Sequence, residues 1–164
     1  MAVIDVVTES EDWAAHAGLE PHIEAAAAAA LAAAGVPTLP EGEIAVLLTD
    51  DEGVAILNGR WRGKPVPTNV LSWPAVAPKL LSLSPMIGDI ALAYETCARE
   101  AREEGKPFVD HLTHLVVHGT LHLVGFDHET EAEAEAMEAL ERRVLAGLGV
   151  ADPYAEGAAG EARP

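Results

Sequence analysis

The sequence predicts an α+β fold: a single domain in which a small mixed sheet of about four strands packs with about five helices and a metal site lies at the end of a buried helix. Three observations carry this expectation. Four short apolar runs, at residues 2–7, 43–48, 68–73 and 87–93, have the length and the bounding turn residues of strands. The stretches between and after them hold helix formers with start and stop signals at their ends. One of those helices is apolar on most sides and closes in a cluster of histidines.

The elements follow in order. After the first strand, a helix begins near Pro21, runs through the six alanines of residues 25–30 and stops at Gly35 before Pro37. The alanine tract has high helix propensity, and Glu24 and its short length exclude a membrane span, so it carries no functional reading. The second strand ends in Thr49-Asp50-Asp51, a helix-capping cluster, which opens a short helix over residues 51–58. A basic loop over residues 59–67 leads to the strand TNVLSW at 68–73, ended by Pro74, and a proline-rich loop over 74–85 leads to the fourth strand. The two loops are candidate cleft walls. A polar helix over residues 96–104 is closed by Gly105, and Pro107 opens the histidine-bearing helix. Thr130-x-x-Glu133 is a capping box opening the last helix, whose buried stripe is Met137, Leu140, Val144 and Leu148. One domain over residues 1–154 and a disordered tail over 155–164, which has little to bury, complete the organisation.

Composition narrows the function classes. With 164 residues and 49% hydrophobic content the chain can form one core. A single cysteine, Cys97, excludes an internal disulfide and a cysteine-rich zinc site, and fits a reducing compartment. The first residues carry acids where a secretory signal needs bases, and no apolar run reaches the length of a membrane span, so a soluble, cytoplasmic protein without a membrane partner is expected. The net charge of −17 argues against broad adhesion to nucleic acid. Residues 1–59 hold 11 acids and no lysine or arginine, whereas residues 60–128 hold 7 of each sign, with Arg60, Arg62 and Lys64 within five positions. An anionic ligand would therefore bind at that cluster and at a metal.

The stretch HGTLHLVGFDH, residues 118–128, carries the chemistry. His118 and His122 are four apart, so on a helix both imidazoles can aim at one point. Gly125 sits where the helix can stop and the chain turn back, returning His128 as a third ligand. Three neutral imidazoles leave an open coordination position and keep the full +2 charge, the pattern of a catalytic rather than a structural zinc site. The spacing His-x3-His-x2-Gly-x2-His is that of the metzincin proteases, but the glutamate that serves them as general base after the first histidine is replaced by Gly119. A glycine inside a helix costs about 1 kcal/mol relative to alanine, which implies that something approaches the backbone there, beside the metal. His114 lies on the same face and reads as a packing or supporting histidine, since three ligands already suffice. Asp127 reads equally as a group that orients an imidazole or takes a proton and as a turn-forming residue.

HGTLHLVGFDH, TNVLSWP at 68–74, the Gly88-Asp89-Ile90 triplet, LNGRWRG at 57–63 and the C-terminal LGVADPY together resemble the YbeY family, bacterial metal-dependent endoribonucleases of ribosomal RNA maturation. The resemblance runs from about residue 45 to 154. It implies a single α+β domain with one zinc ion per chain held by His118, His122 and His128, and action on single-stranded RNA in maturing the 3′ end of 16S ribosomal RNA and in ribosome quality control. The arginine that the family needs for activity falls on Arg62. Position 69 is aspartate in many members and Asn69 here, so no proton-transfer role is carried over to it; Phe126 and Trp73 stand where many relatives have tyrosine and phenylalanine.

These readings combine into a metal-dependent endoribonuclease. Arg62 would grip the scissile phosphate, Arg60 and Lys64 would touch neighbouring phosphates, and Thr68, Asn69 and Ser72 would line a strand-edge groove as uncharged hydrogen-bonding groups. The partners expected are single-stranded ribosomal RNA and the small ribosomal subunit, with a ribosomal protein or assembly GTPase as docking partner. Two alternatives compete: a metal hydrolase of another substrate, peptidase-like, and a metal-stabilised ribosome-assembly factor whose own cleavage is weak or partner-dependent.

Overall fold

The computed structural model describes residues 2–155. Its four strands are β1 (Val3–Thr8), β2 (Glu43–Thr49), β3 (Val70–Pro74) and β4 (Met86–Ala93), and its five α-helices are α1 (Leu19–Ala34), α2 (Asp51–Arg62), α3 (Tyr94–Glu103), α4 (Phe108–Leu123) and α5 (Glu131–Gly147). Two 3-10 turns, Glu11–Ala15 and Pro78–Leu83, occupy connections. The strands form one mixed sheet in the order β1-β2-β4-β3, with β3 antiparallel on one edge and the other pairs parallel. The expected fold class therefore holds. The disordered tail expected over 155–164 lies, from residue 156 onward, outside the described residues.

Alternation along β2 shows how the sheet divides two layers. Ile44, Val46 and Leu48 are buried and alternate with partly covered Ala45 and Leu47, as a pleated strand requires. The fully covered face joins Ile90 and Leu92 of β4 to α1, α4 and α5 in the main core. The alanine tract finds its role here: Ala26, Ala27 and Ala30 are fully buried on α1, whose small side chains let it lie close against α4. The opposite face is covered in part by α2 through Val54 and Leu57, packed with Leu71, Ala91, Ala93 and Trp73.

The structure corrects two local expectations. The second helix does not stop at residue 58 but runs to Arg62, ended by Gly63 at φ 69°, whose N–H bonds the carbonyl of Gly59. Propensity reasoning stops the helix at Gly59, but a glycine inside a helix costs only about 1 kcal/mol, and the Asp50 cap on the Gly53 N–H (2.7 Å) together with Val54 burial offsets it. Arg60 and Arg62 thus belong to the last turn of α2, where cations suit the negative end of the helix dipole. The second correction concerns Gly119. A side-chain carbon there would meet Ile90 at 3.3 Å, so the close approach comes from the sheet in the core and not from the metal side.

Helix α3 has no side-chain cap of its own. Asp51 supplies one from α2: its carboxylate accepts from the Thr96 N–H (3.1 Å) and hydroxyl (2.8 Å), while Glu95 accepts from the Asp51 N–H at 2.8 Å. One turn on, Glu100 accepts from His111 of α4 at 2.9 Å and from the Asn69 amide at 3.0 Å. Those hydrogen bonds outweigh the effect of burial and hold the Glu100 carboxyl below the usual carboxylate range. They also fix the start of β3 relative to α4, the two elements between which the cleft opens.

Candidate metal centre and cleft

The end of α4 is shaped by the sequence that follows it. The Gly125 and Phe126 N–H groups return to the carbonyls of His122 and Leu121, each at 3.1 Å, and Gly125 adopts φ 107°. Position 125 is doubly restricted, because a side-chain carbon there would also lie 2.9 Å from Pro78 of the proline-rich loop. The reversal brings His128 back to the helix end. The Asp127 carboxylate accepts from the His128 N–H at 2.8 Å, which gives Asp127 a turn-forming role.

His118, His122 and His128 each offer a ring nitrogen within 4.8 Å of the others. The ring centroids are 4.6 to 5.8 Å apart, and the Nε2 atoms of His118 and His122 face each other at 3.1 Å. A tetrahedral ion with bonds of about 2.0–2.1 Å would set its ligand nitrogens roughly 3.3 Å apart, so the donor set fits a divalent ion with little adjustment. His114 stands outside this group, as expected. Its Nε2 lies 3.4 Å from both Glu141 and the Tyr154 hydroxyl.

The electrostatics prepare His122 for a cation. His122 is pushed down to about 4, first by burial, which penalises the charged ring, and then by repulsion from His118 and His128; Asp127 acts in the opposite direction. Its imidazole is therefore neutral at pH 7 and need not lose a proton to bind an ion. The same shift predicts a pH dependence of the metal-free protein. The unfolded chain takes up a proton near 6.5 that the folded chain refuses until about 4, so stability is fully present above 6.5 and falls as pH is lowered through that window. Urea unfolding at pH 7.5 and 4.5 should show a loss of about 2 kcal/mol through this group, after allowance for solvent screening. His122→Gln should remove that share of the slope.

The three histidines form one side of a cleft of about 720 Å³, with Arg62, Thr68, Asn69 and Ser72 on the opposing wall and Phe126, Asp127 and Glu129 at its rim. Arg62 crosses to the β3 edge, where its Nη2 donates to the Ser72 carbonyl at 3.4 Å. Arg60 and Lys64 are exposed nearby but do not line the cleft. Asn69 is more committed than a free groove donor would be: its amide nitrogen bonds Glu100 and its oxygen accepts from the Val70 N–H at 2.7 Å. The wall that holds Thr68, Asn69 and Ser72 runs along β3, the edge strand of the sheet. Of the two expected wall loops, the proline-rich one contributes Pro74 and Pro78, while the basic segment contributes only Arg62.

Sequence reasoning passed over two residues here. Glu141 is fully buried on α5 and its Oε2 accepts from His118 Nδ1 at 2.5 Å; its other oxygen accepts from the Tyr154 hydroxyl. Burial alone would raise its carboxyl, but hydrogen bonds from His114 and His118 outweigh burial and hold it at about 2. A signal for it exists in the sequence. Met137, Leu140, Glu141, Val144 and Leu145 follow the spacing of one buried helix face, and Glu141 is the acid among them.

Known proteins are similar to this chain over most of its length. The model of the family described as Endoribonuclease YbeY matches residues 7–149. A protein of Rhodopseudomonas palustris strain BisA53 bearing that name is 54% identical over 155 residues, covering 93% of this chain and 90% of the relative. One from Methylocella silvestris, with the same name, is 48% identical over 154 residues, covering 94% and 86%. The solution structure of a Thermotoga maritima protein shares the fold at a TM-score of 0.56 with 23% identity, over 94% of this chain and all of that one.

Proposed function

This chain belongs to the Endoribonuclease YbeY family, and from that membership and the geometry of the cleft we propose that it is a zinc-dependent endoribonuclease that cuts single-stranded ribosomal RNA during 16S 3′-end maturation. The observation that carries the reading is the convergence of three imidazoles on one side of an open cleft with a guanidinium, Arg62, on the other. When bound, a divalent ion supplies Lewis acidity toward a phosphoryl oxygen. The protein's own groups do the rest. His118, His122 and His128 hold the ion. Arg62 can present a fork of donors to the scissile phosphate and offset the charge that grows in the transition state. Thr68 and Ser72 offer hydroxyls to the RNA backbone, Asn69 spaces the wall, and Arg60 and Lys64 stand outside the cleft where flanking phosphates would pass.

Zinc is proposed because three imidazoles suit it in an open site. Gly119 supports nuclease over peptidase chemistry: the position that holds the general base in the metzincin spacing carries no side chain and faces Ile90. No helix among the described residues is long and apolar enough to cross a membrane. We place the protein in the cytoplasm with the small ribosomal subunit, where its strongly acidic surface calls for a basic ribosomal protein or an assembly GTPase to dock it.

The test is cleavage of a labelled single-stranded ribosomal RNA 3′ fragment by protein of known metal content. Arg62→Ala should lower cleavage roughly 100-fold with zinc content unchanged. Arg62→Lys should recover only part of that, since a point charge cannot reproduce a planar fork. Full activity in both variants would remove Arg62 from the mechanism, and metal-dependent digestion of casein in place of RNA would replace the nuclease reading.

A further inference from the structure

A buried carboxylate needs a reason. Glu141 has no solvent exposure, sits on the apolar stripe of α5 and is surrounded by core residues that would pack against a leucine at lower desolvation cost. It survives there because both of its oxygens are occupied. Oε2 takes the His118 Nδ1–H, and Oε1 takes the Tyr154 hydroxyl and faces His114 Nε2 at 3.4 Å. An ionised carboxylate can only accept, so His118 must carry its proton on Nδ1. That leaves the Nε2 lone pair of His118 directed at His122 Nε2, 3.1 Å away.

The segment after α5 is built to complete this arrangement. Asp152 accepts from the Tyr154 N–H at 2.8 Å and pairs with Arg142 Nε at 3.3 Å, while the Arg142 guanidinium lies over the Tyr154 ring at 5.3 Å. The His114 ring meets the Tyr154 ring edge-on, with centroids 5.6 Å apart. Three separate elements, α4, α5 and the segment leading to Tyr154, therefore meet at one carboxylate that touches one ligand histidine.

We propose that Glu141, closed off by Tyr154 and His114, is a positioning residue that fixes His118 as the Nδ1–H tautomer and so sets how tightly the three-histidine group holds its ion. The inference rests on the metal-binding reading given above. It makes the C-terminal segment part of the metal centre, although among the described residues the three-histidine group ends at His128.

Two measurements decide it without RNA. In metal-free protein at pH 8, nitrogen-15 NMR of the imidazoles should show His118 protonated on Nδ1, whereas an unconstrained imidazole favours Nε2. Zinc affinity, measured by competition with a chromophoric chelator, should fall about 10–100-fold in Glu141→Gln and about fivefold in Tyr154→Phe, which removes one hydrogen bond to the carboxylate. A purely structural role would instead lower the thermal midpoint of the metal-free variants and leave the affinity of the folded molecules unchanged. Tight wild-type binding with Glu141→Gln within twofold of it, or His118 protonated on Nε2, would overturn the inference alone. A wild type that binds no zinc would overturn the metal reading as well, while a zinc-loaded wild type that leaves RNA uncut, with these affinities as expected, would fault only the nuclease assignment.

Discussion

Replacing His128 with alanine should abolish metal binding and RNA cleavage without unfolding the protein. His128 is the one exposed member of the ligand group, held in a turn after α4 by its backbone bond to Asp127, whereas His118 and His122 lie on a helix buried over most of its surface. Its side chain contributes little to the core, so His128→Ala should change the stability of the metal-free protein by no more than about 0.5 kcal/mol. The effect on the ion is far larger. Losing a ligand must cost more than losing a group that only orients one, so zinc affinity should fall by well over roughly 100-fold. Several kcal/mol of transition-state stabilisation should go with the ion, which corresponds to about a thousandfold or more in rate. Thermal unfolding gives a second readout. Added zinc should raise the midpoint of the wild type by mass action and leave that of His128→Ala in place. Cleavage that persists in His128→Ala at the wild-type rate would show that the activity comes from elsewhere.

The three-histidine group was legible in the sequence because each of its parts is local. A four-residue spacing on a helix, a glycine that permits reversal and a histidine three residues later require no knowledge of the rest of the fold. The capping box at Thr130 and the stop at Gly35 were legible for the same reason, and the structure contains both. What the sequence concealed is non-local. Whether Gly119 faces a metal or a strand depends on the packing of α4 against β4, and the answer, Ile90, is 29 positions away in the chain. Helix α2 outran its expected end because a helix boundary balances a glycine's cost against burial that only the fold supplies. The Glu141–His118 contact joins residues 23 apart, and Tyr154 reaches the same carboxylate from beyond the last helix. Arg60 and Lys64 read as partners of Arg62 from their proximity in sequence, but with Arg60 and Arg62 on the final turn of α2 and Lys64 beyond its glycine cap, Arg62 alone of the three lines the cleft.

Gly88→Ala should cost about 3 kcal/mol or more, a large fraction of the 5–15 kcal/mol that holds a domain of this size together. The residue is buried on β4 opposite Pro74 of β3, at the level where the end of α4 crosses the sheet. An added methyl would lie 2.4 Å from the Trp73 carbonyl oxygen, 2.6 Å from Leu123 Cδ2 and 3.2 Å from Pro74 Cα. Two of these three neighbours are backbone atoms of the edge strand, so no rotamer change relieves the clash. Either β3 moves off the sheet or the strain stays. Leu123 is the last residue of α4, next to His122, and β3 carries the opposite wall, so the same methyl pushes the two sides of the cleft apart. Gly119→Ala is the internal control. Its nearest contacts are side-chain atoms of Ile90 at 3.3 to 3.5 Å, and alanine regains about 1 kcal/mol of helix propensity, so the two effects should nearly cancel. Urea unfolding of both metal-free variants checks the contrast. A Gly88→Ala protein within about 1 kcal/mol of the wild type would mean that β3 is free to shift, and the wall that carries Thr68, Asn69 and Ser72 would then not be held in place by the sheet.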